Sequence, residues 1–153
     1  MLLLSRTDSD NPDFRNLVRL LDQDLWKRDG KNQVELAELN CVVALPHAVV
    51  AYVHGAPVAC GAFQPYSPDV VEIKRVFVQP AWRGQGIAQA ILAELERWAT
   101  ESKYTGYVLE TGRNQPEAIR LYEKSGYRRV ANFGKYVGME NSVCMRKAGE
   151  LPV

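Results

Sequence analysis

Between residues 70 and 88 the chain reads VVEIKRVFVQPAWRGQGIA: an apolar strand, Gln79-Pro80, then a turn Arg83-Gly84-Gln85-Gly86 that opens a helix at Ile87-Ala88. The first amides of a helix have no carbonyl partner within it, and the aligned peptide dipoles leave partial positive charge there. Such a turn presents several N–H donors to an anion, and its glycines let the backbone approach closely. Arg83 adds a permanent cation, and Gln85 contributes its backbone N–H more than its side chain. The set suits a diphosphate. No Gly-Lys-Ser or Gly-Lys-Thr follows, which excludes the ATP-type phosphate loop. A second feature lies just upstream: Glu72, Lys74 and Arg75 interrupt a strand that should be nearly continuous in apolar residues. Burying unpaired charge is costly, so charges at these positions imply either a cleft or a solvent-exposed strand end at which Glu72 pairs with a neighbouring base.

The elements that must position these residues can be read from periodicity and breakers. A first strand is expected over residues 2–5, followed by a helix starting at Asn11-Pro12 with Phe14, Leu17, Val18, Leu21 and Leu25 on one face, stopped by Asp29-Gly30. Residues 33–39 have the length of a short second helix. Two strands, 48–54 and 57–64, are joined across His54-Gly55-Ala56-Pro57 as a tight hairpin. Strand 70–78 leads through the glycine turn into a helix whose apolar positions Ile87, Ile91, Leu95 and Trp98 repeat at helical spacing. A strand at about 105–110 follows, then a helix opened by Pro116 and ended by Gly126, and two last strands at about 127–130 and 142–146. Antiparallel strands first and strand-helix-strand-helix-strand later make a mixed α/β sheet.

Composition narrows the function classes. A chain of 153 residues is long enough for one domain with a substantial core, and a single domain over 1–153 is expected. With 19 Lys+Arg against 18 Asp+Glu the formal charge is +1, so there is no global basic footprint for nucleic acid and no polybasic membrane signal. No apolar run approaches the ~20 residues of a membrane span, and the start MLLLSR is too short for a signal-peptide core, so a cytoplasmic location is expected. Cys41, Cys60 and Cys144 are odd in number and widely spaced. That fits neither a disulfide framework nor paired zinc ligands, and they read as small buried thiols with no metal expected.

The ordered set from the apolar strand through Arg83-Gly84-Gln85-Gly86-Ile87-Ala88 closely resembles the acetyl-CoA-binding signature of the GNAT superfamily of N-acetyltransferases. A second block, ETGRNQPEAIRLYEKSGY over residues 110–127, resembles that superfamily's other cofactor motif, with Asn114, a helix carrying Ala118 and Leu121-Tyr122, and Gly126 at its end. Both blocks stand in family order, one helix and one strand apart. The resemblance implies a mostly antiparallel central sheet flanked by helices and splayed open beside the cofactor strand. It implies that the backbone edge at Phe77 and Val78 pairs with the pantetheine arm as an added strand. The amides of Gly84, Gln85, Gly86, Ile87 and Ala88, with Arg83, would meet the pyrophosphate. Asn114 either hydrogen-bonds pantetheine or caps its helix, and Arg113, Arg120 and Lys124 either meet phosphates or form a solvated face.

The implied activity is transfer of acetyl from acetyl-CoA to a primary amine of a small molecule or peptide, directly within a ternary complex. An alkylammonium with a pKa near ~10.4 costs about 4 to 5 kcal/mol to deprotonate at pH 7, and a nearby carboxylate can take that proton. Glu72 is the candidate base, by resemblance to the histone-acetyltransferase branch, in which a glutamate on this strand has the role. Tyr122 matches the tyrosine of the Leu-Tyr element and would supply a proton to the leaving thiolate, position the sulfur, or serve as a core aromatic. Cys60 has no His-Asp partner set, which argues against a covalent acyl-enzyme. His47 and His54 stand isolated. The stretch 132–138, rich in glycine and aromatics, suits a loop lining the acceptor pocket, with Trp26, Asp29 and Asn40 as contacts from the other side. Rival readings are a non-catalytic CoA-sensing module, and an acyltransferase with a different donor or a hydroxyl acceptor. An exposed strand edge near the C-terminal end offers a place for a second copy of the chain.

Overall fold

A computed structural model describes residues 1–29 and 44–149, and the expected helix at 33–39 lies outside the described residues. In chain order the elements are β1 (Leu2–Thr7), α1 (Pro12–Asp29), β2 (His47–Val53), β3 (Ala56–Pro65), β4 (Val70–Val78), α2 (Ile87–Glu101), β5 (Gly106–Gly112), α3 (Pro116–Lys124), β6 (Arg128–Val130) and β7 (Ser142–Ala148). Seven strands form one sheet in the order β1-β2-β3-β4-β5-β7-β6. The β4–β5 pair is parallel and every other pair antiparallel. The mixed, mostly antiparallel sheet flanked by helices is the expected architecture.

Local chemistry accounts for the boundaries. Asn11 Oδ1 accepts from the backbone N–H groups of Asp13 and Phe14, at 2.8 and 3.1 Å, and so caps α1 just ahead of Pro12. His54 (φ 50°) and Gly55 (φ 78°) make a two-residue turn with both φ positive, the geometry that matches the twist of the β2–β3 hairpin. Gly126 closes α3 with φ 98°.

The sheet is covered on both faces. On one, α1 buries Phe14, Leu17 and Leu21 against Ala48, Val50, Cys60, Ala62 and Phe77. On the other, α2 and α3 bury Ile87, Ile91, Leu92, Leu95 and Ile119 against Val49, Val71, Ile73, Leu109 and Met145. Cys60 and Cys144 are both buried free thiols, and Cys41 lies outside the described residues.

The two covering layers meet at an irregularity. Ala62 pairs with Lys74 and Cys60 with Phe77, so Gly61 alone on β3 stands opposite Arg75 and Val76 on β4. The extra residue is a β-bulge, which bends the strand. Arg75 takes φ 61°, a left-handed conformation that costs on the order of 1–3 kcal/mol in a non-glycine residue. Its guanidinium is fixed to Asp22 of α1 at 2.8 Å, and its carbonyl accepts from the Cys60 thiol at 3.3 Å. Opposite the bulge, a Cβ on Gly61 would lie 2.7 Å from Ile91 Cγ2 and 2.9 Å from Leu95 Cδ1, so α2 packs directly on this backbone. Gly61→Ala is therefore expected to destabilise the fold by about 1–3 kcal/mol and to lower the thermal unfolding midpoint by several degrees. An unchanged midpoint would show that α2 yields at this contact without cost.

Candidate active site

The parallel pairing of β4 with β5 runs only from Val70↔Gly106 to Ile73↔Leu109. Beyond that register the strands part, and among the described residues no strand pairs with the Lys74 to Val78 edge of β4 on the β5 side. A pocket of about 110 Å³ opens in the gap. Elements on both faces of the sheet contribute to its lining: Leu21 and Leu25 of α1 and Tyr136 on one side, Ala118 and Tyr122 of α3 on the other, with residues 72–76 and 110–112 between.

At the far end of the free edge, Gly84 and Gly86 have φ of 79° and 78°. The first α2 hydrogen bond runs from the Ala90 N–H to the Gly86 carbonyl, and Gly86 has no side chain to cap the helix. The amides of Ile87, Ala88 and Gln89 thus have no intrahelical acceptor. Ile87 itself turns its side chain into the core. Arg83 is directed elsewhere. Its Nε donates to the Val78 carbonyl at 2.9 Å, its guanidinium lies 5.7 Å from the Phe77 ring centre, and an Nη sits 3.5 Å from Asp24 of α1. The Phe77 and Val78 side chains are both buried, in opposite cores. Asn114 is exposed ahead of α3, and Gln115 occupies the cap position with no side-chain cap bond and lines the pocket.

The polar floor of the pocket lies on the α1 face of the sheet. Glu72 is 5% exposed; its Oε2 accepts from the Tyr136 hydroxyl at 2.7 Å and its Oε1 from Gln64 Nε2 at 3.2 Å. Two alternatives were open for this residue, a cleft or a solvent-exposed strand end, and burial beside a pocket selects the cleft. Lys74 Nζ stands 3.8 Å from Glu72 Oε2. Burial pushes the Lys74 ammonium down to about 8, against an upward pull from Glu72. Across the gap, Glu110 Oε2 accepts from the Ser142 hydroxyl at 2.7 Å. Burial raises the Glu110 carboxyl above its usual range, with Ser142 opposing. Burial also raises the Tyr122 phenol, helped by the nearby Glu110 charge, so it keeps its proton at any physiological pH.

Glu72 and Tyr122 therefore line the same pocket, together with Lys74, Glu110, Gln115 and Tyr136, to which the motifs assigned no role, and Gln64 holds Glu72 from outside the lining. The strand signal for two of them is present, since Lys74 and Glu110 are polar residues in otherwise apolar runs. Tyr136 falls in the stretch 132–138 expected to line the acceptor side. Its turn is tied down by Asn132 Nδ2, which donates to the carbonyls of Tyr136 and Met139 at 3.1 and 3.0 Å. Asn40 and the side chains of Trp26 and Asp29 lie outside the described residues. Cys60 is fully buried, and burial drives its thiol well above the normal range, which leaves no thiolate for acyl transfer. His47 stacks on Phe63 with ring centres 4.5 Å apart, remote from the pocket lining. Among the described residues no group of three or more His, Cys, Asp or Glu could hold a metal ion, and no helix is long and apolar enough to cross a membrane.

Comparison with known proteins agrees with this geometry. Residues 11–127 match the Acetyltransferase (GNAT) family. An IAA acetyltransferase from Azospirillum brasilense is 36% identical over 137 residues, spanning 86% of this chain and 87% of the relative. The provisionally named acyl-CoA N-acyltransferase of Klebsiella pneumoniae superposes with a TM-score of 0.82 and 29% identity over 97% of each chain. A GNAT family acetyltransferase from Elizabethkingia anophelis, solved with acetyl-CoA bound, shares the fold with a TM-score of 0.69, 16% identity and coverage of 96% and 97%. With the strand, the glycine turn and the parted sheet all lying within the matched region, the chain is a member of the GNAT acetyltransferase family.

Proposed function

We propose that this protein transfers the acetyl group of acetyl-CoA to a primary amine, by direct attack within a ternary complex. The observation that carries the reading is the pocket between β4 and β5, which is lined from both faces of the sheet by the buried Glu72 carboxylate, the half-buried Glu110 and the buried phenols of Tyr122 and Tyr136. The A. brasilense relative, named an acetyltransferase, and the E. anophelis neighbour with acetyl-CoA bound support the donor. In this scheme the Phe77–Val78 backbone edge pairs with pantetheine. The amides of Gly84, Gln85, Gly86, Ile87 and Ala88 meet the pyrophosphate. Arg83 joins them by exchanging its bond to the Val78 carbonyl for the phosphate, and Asn114 lies on the route of the pantetheine arm.

The amine nitrogen bonds to the thioester carbonyl carbon, its proton passes to a carboxylate, and the C–S bond breaks to release CoA. Glu72 is the proposed acceptor of that proton. Tyr136 and Gln64 hold both of its oxygens in place, and a carboxylate retains lone pairs for a further donor. Tyr122, protonated throughout the working range, donates to the departing sulfur. A second reading gives the base role to Glu110, because burial raises its proton affinity and, among the described residues, the donor on its carboxylate is Ser142, on Oε2.

Free-thiol release from acetyl-CoA against a panel of amino acids, polyamines, aminoglycosides and lysine peptides, beside calorimetry of acetyl-CoA alone, tests the activity. Amine-dependent release is expected; binding without release from any acceptor would favour a CoA sensor. Faster turnover of propionyl- or succinyl-CoA would reassign the donor. Glu72→Gln should lose roughly 10²–10⁴-fold in rate near pH 7 and recover as the amine deprotonates at high pH, with CoA binding unchanged. If Glu110→Gln shows that profile instead, the base is Glu110. Tyr122→Phe is expected to lower kcat by about 10- to 100-fold at unchanged KM for acetyl-CoA, and an unaltered kcat would leave Tyr122 a packing residue.

A further inference from the structure

Residues 132–138 are expected from sequence to wall the acceptor side. The segment does more than that, because the β6–β7 connection and the start of β7 carry donors to both carboxylates of the pocket. Tyr136 donates to Glu72 Oε2 and Ser142 to Glu110 Oε2, each at 2.7 Å. The Tyr136 contact is the more enclosed of the two, with Tyr136 2% and Glu72 5% exposed.

A glutamate reaches its carboxylate through three side-chain torsions, and burial restricts them without selecting one setting. Another partner for the same oxygen stands close: Lys74 Nζ lies 3.8 Å from Oε2, within ion-pair reach but beyond hydrogen-bond distance. The Tyr136 hydroxyl, at hydrogen-bond distance, sets where Oε2 lies, and Gln64 Nε2 takes Oε1 at 3.2 Å. The hydroxyl is itself held. Its ring meets Phe133 edge-on with centres 5.6 Å apart and packs with Cys144 of β7, and Phe133 meets Tyr66 edge-on at 5.0 Å. The backbone over residues 134–136 is a single 3-10 turn, entered at Gly134 with φ 54°. Asn132 Nδ2 closes that turn through the carbonyls of Tyr136 and Met139. A ring packed on its neighbours and tethered at its backbone is a fixed reference for a carboxylate that could otherwise rotate.

We propose that Tyr136 is the positioning residue of the proton-accepting carboxylate: its hydroxyl holds Glu72 in the orientation that meets the amine, and the 132–139 turn delivers that hydroxyl. This assignment rests on the acetyl-transfer reading and deepens it. It ties the base role to Glu72 rather than Glu110, and it makes part of the acceptor-side connection a component of proton removal. Tyr136 takes no proton from the amine. Burial, with the Glu72 charge beside it, raises its phenol, so it remains a donor to Glu72 throughout the working range.

Tyr136→Phe removes the hydroxyl and keeps the ring. Thiol release is followed from pH 7 upward for wild type, Tyr136→Phe, Glu72→Gln and the double variant, with an amine that the wild type turns over. Tyr136→Phe should lower kcat roughly 10- to 100-fold near pH 7 at unchanged KM for acetyl-CoA, the scale of loss that follows a small misplacement of a reacting group. Because the loss lies in proton removal, it should shrink as the amine deprotonates at higher pH, following Glu72→Gln. In the Glu72→Gln background the same substitution should cost less than about 2-fold, since the carboxylate it positions is gone, and in Glu110→Gln its full effect should persist. An undiminished kcat, a loss constant across pH, or a loss equally large without Glu72 would overturn the assignment and leave acetyl transfer standing. A lowered unfolding midpoint together with a raised KM for acetyl-CoA would make Tyr136 a packing residue and overturn it likewise. Asn132→Ala keeps the hydroxyl but frees its turn, and should show the same pH-dependent loss; an unchanged rate would overturn the role of the turn. Absence of thiol release by the wild type from every acceptor would overturn both the transfer reading and the assignment.

Discussion

The parting of β4 from β5 after Ile73 and Leu109 is the constraint on which the rest of the site depends. A continuous parallel pair would satisfy the backbone groups of both strands and fill the gap where the pocket now lies. What prevents it is the bulge at Arg75 and Val76, which adds a residue to β4 and turns the strand away from its parallel partner. The left-handed conformation at Arg75 is held from both sides: the Asp22 carboxylate of α1 takes the guanidinium, and the Cys60 thiol of β3 donates to the carbonyl. Gly61 allows α2 to close over the same point. A local backbone cost is thereby offset by contacts from three separate elements.

Side-chain direction follows from the same irregularity. Up to Lys74 the alternation of β4 sends Glu72 and Lys74 toward α1; the extra residue resets it, so that Phe77 also faces α1 while Val76 and Val78 join the α2 side. Polar residues are thus confined to the stretch of strand beside the opening, and apolar burial resumes on both faces beyond it. Beyond Val78 a short 3-10 turn over Pro80–Trp82 leads to Gly84 and Gly86, where the chain enters α2 with the unpaired amides of a helix end.

Charge in the pocket is organised by partners rather than by solvent. Glu72 is held by Tyr136 and Gln64, Glu110 by Ser142, and each hydrogen bond fixes a carboxylate whose burial would otherwise be costly. Lys74 lies among them with its charge weakened by burial. Two carboxylates and a lysine on opposite lips of one opening give it a polarity that neither strand has alone.

Local chemistry in the chain was enough to determine most of the elements and the turn proposed to meet the donor. Strand 70–78, the glycine turn, the α2 stripe at Ile87, Ile91 and Leu95, and the Pro116 and Gly126 boundaries of α3 depend on periodicity, missing Cβ atoms and missing N–H groups, all properties of neighbouring residues. The acceptor side was legible only as anomalies: Glu72 and Lys74 as charges in an apolar strand, and 132–138 as a glycine- and aromatic-rich stretch. That Tyr136 reaches Glu72 across 64 positions, that Glu110 faces Lys74 over the gap, and that Arg83 turns back onto Val78 were decided by tertiary structure. Those relations arise from strand register and from a single bulge. Both are settled by packing between segments distant in sequence, and no local pattern encodes them.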